Sequence, residues 1–231
     1  ARSHDELSFI VDVSSPIVKA DEMPSTLPEC TFTVEGSIEE RFSLKDVYAE
    51  IGGIEHALEY QRDSFFGEIS LPSTEDHDVL IVAEDMAGNV GGDILSLSCD
   101  PYRPNISIST LSDIVSEDSI NVRGNVNEPA EVELFVDSES RVFQAEGDFE
   151  RSVDLEPGIN EIYAVARDSV GHEVESEHIY VNYDNAEPEI RMHIPDDGDV
   201  TGSMKPKISA YVADEGSVLD PSTAEWSINT F

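Results

Sequence analysis

The sequence predicts an all-β fold, a row of β-sandwiches joined head to tail. Three observations carry that expectation: short segments that alternate apolar and polar residues, turn residues every eight to twelve positions, and a self-similarity offset by 83 to 84 residues. Phe66, Leu71, Ala83, Asp85, Gly88, Asp100 and Pro104 align with Phe149, Leu155, Ala166, Asp168, Gly171, Asp184 and Pro188.

The first unit spans residues 1–101. Its segment CTFTVEG places Cys30, Phe32 and Val34 on one strand face, and ILSLSC places Leu95, Leu97 and Cys99 on another. The turns EIGG and DMAGN separate strands between them. The second unit, 102–185, repeats the plan: VDSES and EPGIN supply turns, and NEIYAVARD sets Ile162, Ala164 and Ala166 on one face. Ile179, Val181 and Tyr183 share a face of the closing strand. Residues 186–231 open as the second unit does, Pro188-Glu-Ile190 matching Pro104-Asn-Ile106, but lack the last strands. This third sandwich is incomplete, and the expectation is that further chain or another segment completes it, since a half-sandwich exposes unpaired edges. The lone Trp226, with Ile228 beside it, reads as a core residue of that unit.

Charge is the dominant feature of composition. Fifty acidic residues against thirteen basic ones give −37, and the excess is distributed, −17 over 1–101, −14 over 102–185 and −6 over 186–231. Such a surface repels phosphate polymers and argues against nucleic acid as a partner. Three causes fit: a salt-adapted surface, oxygen-ligand sites for divalent cations, or an acidic extracellular protein whose carboxylates are simply solvated. The opening ARSHDELSFIV has neither an initiator Met nor an apolar leader and reads as a cut terminus. No apolar run approaches the roughly 20 residues that cross a bilayer as a helix, so no membrane insertion is expected within these residues.

Around Phe149, Val153, Leu155, Gly158, Asn160, Ile162, Ala166, Asp168, Gly171 and Asp184, the pattern resembles the immunoglobulin-like modules repeated in bacterial and archaeal surface proteins. The first unit departs from it where STEDHD replaces the G-x-N turn. The resemblance implies tandem immunoglobulin-like sandwiches, an extracellular location, and a structural role such as that of a surface layer. An adhesin stalk or the accessory modules of a secreted enzyme is the alternative it leaves open.

Cys30 and Cys99 are the only cysteines. Strand direction brings both to one pole of the first sandwich on facing sheets, which predicts a disulfide and an oxidising compartment. Two unrelated buried thiols are the other reading.

The same argument sets Asp100 near Glu128 and Asp168 at the first junction, and Asp184 and Asn185 near Asp214 and Glu215 at the second. Carboxylate and amide oxygens so gathered suit Ca²⁺. The plainer role for Asp168 is to close the turn RDSVG through an Asx hydrogen bond.

Asn105-Ile106-Ser107 is a glycosylation sequon at the start of a strand. Leu80 and Val82 in the first unit, with Tyr163 and Val165 in the second, give the penultimate strands apolar residues on both faces. They mark either covered central strands or a lateral contact face toward copies of this protein or other surface proteins. The six histidines are scattered, no G-x-S-x-G elbow occurs, and Asp196-Asp197-Gly198-Asp199 reads as a polar turn. The chain is expected not to be an enzyme, with Ca²⁺ as its one candidate cofactor.

Overall fold

The computed structural model describes residues 10–194, 198–200, 202–205 and 207–214. Two compact units divide them, the break falling between Tyr102 and Arg103, with the turn Val170–His172 grouped with the first. Among the described residues all regular structure is strand, and no helix there is long and apolar enough to cross a membrane.

The first unit is a two-sheet sandwich. Its strands are β1 (Ile17–Ala20), β2 (Thr26–Leu27), β3 (Thr31–Glu39), β4 (Leu44–Ile51), β5 (Ile54–Ala57), β6 (Glu59–Gln61), β7 (Ser64–Ser70), β8 (His77–Asp85) and β9 (Val90–Cys99). One sheet runs β1-β3-β7-β6 and the other β2-β9-β8-β4-β5. All pairs are antiparallel except β2 with β9, so the leading segment crosses from one sheet to the other within ten residues. On β8, apolar on both faces, Val82 of the outer face is buried, and on the inner face Val79, Ile81 and Ala83 are all unexposed. They meet Val34, Ile38, Phe65 and Ile69 of the facing sheet in one core. The disulfide forms: Cys30, just ahead of β3, is joined to Cys99 at the end of β9, with Cα atoms 5.0 Å apart.

The second unit repeats this plan with longer strands. Its members are β10 (Ile106–Ser109), β11 (Ile114–Val115), β12 (Ser119–Val136), β13 (Glu139–Asp154), β14 (Gly158–Arg167), β15 (Glu173–Glu175) and β16 (Ile179–Tyr183). The order is β10-β12-β14-β16-β11, with β13 on β12 and β15 on β14. Where the first unit has separate strands β3 and β4, β12 is continuous and bends at an irregularity between Val126 and Ala130. It pairs with β10 on one side of the bend and β14 on the other. A β-bulge is how one strand serves two layers. The core holds Val122, Val126, Val132, Leu134, Phe149, Ile162, Ala164, Ala166 and Val181. β11 lies parallel to β16 as β2 does to β9.

Asn160 explains the G-x-N turn. Its buried side chain accepts the Glu156 N–H (2.8 Å) and donates to the carbonyls of Glu156 (2.8 Å) and Gly158 (3.0 Å). Gly158 holds φ at 105°, a conformation costly for a residue bearing Cβ.

Strand register corrects one alignment. Gly36 pairs with Phe65 and Gly124 with Phe149, so Phe65, not Phe66, is the counterpart of Phe149. Phe65 is 1% exposed and Phe66 45%; two adjacent phenylalanines look alike in sequence, and only the pleat separates them. Beyond Pro188, β17 (Glu189–Ile194) and β18 (Ser209–Ala213) form a two-stranded antiparallel sheet. Trp226, Asp196 and Asp197 lie outside the described residues.

Candidate cation site

At one pole of the first unit three carboxylates converge: Asp12 ahead of β1, Glu40 after β3, and Asp85 at the end of β8. One oxygen from each lies within 4.8 Å of the others. Asp85 is fully buried and held by its own turn. Its Oδ1 accepts the N–H groups of Ala87 (2.8 Å) and Asn89 (2.9 Å), and its Oδ2 accepts the Asn89 amide (2.8 Å). These donors, the Asn89 side chain foremost, hold its carboxyl below the usual value of 3.8 against the opposing pull of burial. Asp85 therefore stays an anion inside the protein.

The other two carboxylates are fixed through one oxygen each. Asp12 Oδ1 accepts the N–H (3.1 Å) and hydroxyl (2.6 Å) of Ser14, and Glu40 Oε1 accepts the Phe42 N–H (2.8 Å). Asp12 Oδ2 is sealed from solvent with no hydrogen-bond donor among the described residues. Nor does any Lys, Arg or His among those residues form an ion pair with the three.

The junction residues expected from sequence fall at related places. Asp100 follows β9, donates its N–H to the Leu27 carbonyl (2.8 Å) and accepts the Tyr102 N–H (3.2 Å) on Oδ1. Asp184 follows β16, donates to the Val115 carbonyl (2.9 Å) and accepts the Ala186 N–H (3.1 Å). Asp12, with Ser14, makes the same Asx turn. Glu128 stands at the bend of β12, and Asp168, 9% exposed, directly after β14. Asn185 is exposed and Asp214 part-buried, while Glu215 lies outside the described residues.

Sequence reasoning missed Asp12 and Glu40. The signal was present: Asp12-x-x-x-Pro16 and Glu40 stand 88 residues ahead of Asp100-x-x-x-Pro104 and Glu128.

Asn105 is exposed, its N–H bonded to Asn127 Oδ1 (2.6 Å). Leu80 is 37% exposed, but Val82 is only 4% exposed, on a central strand opposite Tyr48 and Gly92, and offers no contact surface. Tyr163 is sandwiched. Its ring stacks on Phe135, its cross-strand partner, at 4.6 Å and on His178 at 4.4 Å, both near parallel. Val165 is part-buried two residues along. His178 in turn meets Glu161 (2.9 Å) and Glu175 (3.1 Å), and the Tyr180 hydroxyl donates to Glu161 (2.7 Å).

No protein-family model matches the chain, and no curated protein matches it in sequence. Among solved structures, it is similar to the fibronectin(III)-like modules of Clostridium thermocellum CbhA, at 12% identity over 72% of this chain and 95% of that one, with a TM-score of 0.48. Murine CEACAM1b is similar at 11% identity over 73% of this chain and 100% of that one, with a TM-score of 0.45. Dimeric latent PorU from Porphyromonas gingivalis is matched at 10% identity over 73% of this chain, TM-score 0.33. The chain spans only 20% of the length of PorU.

Proposed function

We propose that this chain is a non-catalytic structural segment of an extracellular surface assembly, a surface layer in a salty or calcium-rich medium being the form that fits best. The observation that carries this reading is the repetition of one rigid sandwich with the same aspartate-bearing exit: Asp100 and Asp184 make the same two hydrogen bonds after equivalent last strands. A repeated unit with a fixed exit is what a spacer or lattice element needs. The Cys30–Cys99 bond supports an oxidising, extracellular setting. The charge of −37 supports a surface that stays hydrated in salt and excludes anionic polymers. In this reading Asn105 carries a glycan, and lateral contacts to copies of the protein use exposed strand faces. An adhesin stalk, or the accessory modules of a secreted enzyme, is the second reading.

Electron microscopy of the protein carrying this chain, at high and low NaCl, with and without a chelator, separates the two. A two-dimensional lattice supports the surface layer; dispersed rods under all conditions overturn it in favour of the stalk.

A further inference from the structure

The geometry points to a divalent-cation site, Ca²⁺ by its ligand chemistry, built inside the first unit by Asp12, Glu40 and Asp85. Two observations carry it independently. The first is spacing: a Ca²⁺ ion binds oxygens at 2.3–2.6 Å, so oxygens that share one ion lie at most about 5 Å apart, and the three carboxylates satisfy this at 4.8 Å. The second is the Asp12 Oδ2 oxygen, a carboxylate atom shut away from solvent with no donor to meet it among the described residues. A buried carboxylate oxygen without a partner is costly, and more so beside a second carboxyl group as buried as that of Asp85. A cation between them removes both penalties. Asp12 and Glu40 are each anchored by a backbone N–H on one oxygen, which leaves the other for a ligand.

Ca²⁺ suits the set better than Mg²⁺. The ligands are hard oxygens from three separate segments, with no rigid octahedral frame. A divalent ion also reduces the charge of the three carboxylates from −3 to −1. The ion would tie the segment entering the unit to the β3–β4 connection and to the turn after β8. The same residue types recur in the sequence as Asp100, Glu128 and Asp168, so the residue pattern follows the sequence repeat. The proposal holds whatever assembly the chain serves.

The test uses the full chain stripped of metal and titrated with CaCl₂ by calorimetry at fixed ionic strength, with MgCl₂ and NaCl as parallel titrants. Asp12→Asn and Glu40→Gln are nearly isosteric and lie outside the core, and near-ultraviolet circular dichroism confirms that they fold. Glu68→Gln, on the exposed face of β7, controls for general loss of charge. The expected result is stoichiometric Ca²⁺ binding in which each site variant removes one ion or weakens it by at least about tenfold, the scale on which even outer-shell changes act. Glu68→Gln should leave it unchanged. Binding that is equal in the site variants and the control, or matched by Na⁺ at the same ionic strength, overturns the proposal.

Discussion

The ring of Phe149 lies flat against the backbone of Gly124, its cross-strand partner on β12. A methyl group on Gly124 would sit 2.7 Å from the Phe149 Cε1 atom, and Phe65 closes over Gly36 in the same way. The pair is the mark of the repeat in three dimensions, a glycine that leaves room for the ring sealing the core.

Gly124→Ala should therefore destabilise the second unit by about 1–3 kcal/mol, because the ring must leave its rotamer or the strands must part. Urea unfolding followed by tyrosine fluorescence measures it. An unchanged midpoint would show that the contact is slack.

Reduction of Cys30–Cys99, or the double change to serine, should cost up to about 4 kcal/mol in the chain-entropy account of a loop of this length. The loss should fall on the first unit alone, since each unit has its own core. Calorimetric scans with and without reductant should show one transition moving and the other holding its temperature.

Asn160→Ala removes the acceptor of the Glu156 N–H and a donor shared by two carbonyls inside the turn. The expected cost is roughly 2–3 kcal/mol. Hydrogen exchange at the Glu156 amide, protected in the parent and fast in the variant, reports the same loss locally.

His178 gives a pH dependence of known sign. Its hydrogen bonds to the carboxylates of Glu161, then Glu175, raise its pKa above 6.5. Its contribution is complete below 6.5 and fades as pH rises through the elevated folded value. Glu161, lowered from 4.5 first by the Tyr180 hydroxyl and then by His178, contributes above 4.5 and loses that contribution as pH falls through its depressed folded value. The cluster should thus be firmest between these limits. An NMR titration should place the His178 midpoint above 6.5, and Glu161→Gln should bring it down. A midpoint at 6.5 in both proteins would show that the carboxylates do not hold the ring.

Alternation and turn chemistry made the fold legible, because a half-buried strand must put every second residue inward. Ile162, Ala164 and Ala166 are all unexposed for that reason. The disulfide was legible too, since strand direction alone set both sulfurs at one pole. What sequence could not resolve was proximity without periodicity. Phe65 and Phe66 differ only by pleat. Asp12 and Glu40 are ordinary members of a very acidic chain until the ends of β3 and β8 bring them together. Tyr163 could be read as covered or as a contact face, because alternation reports the face but not the neighbours, and Phe135 and His178 lie far from it in sequence.

The disulfide also decides how the chain would answer a pull on its ends. Cys99 is paired in register with Leu27 on β2, and Cys30 follows three residues later. Tension entering near β2 crosses the sulfur bridge and leaves after β9, so the 69-residue span between the cysteines carries no load. That withholds roughly 230 Å of contour length, at about 3.4 Å per residue. The second unit contains no cysteine; the pairing of β11 with β16, parallel strands loaded in shear, and of β10 with β12 and β14 with β16 is what resists its extension. One sandwich is a fixed link and its neighbour a yielding one, so stress on these two units would be absorbed in the second.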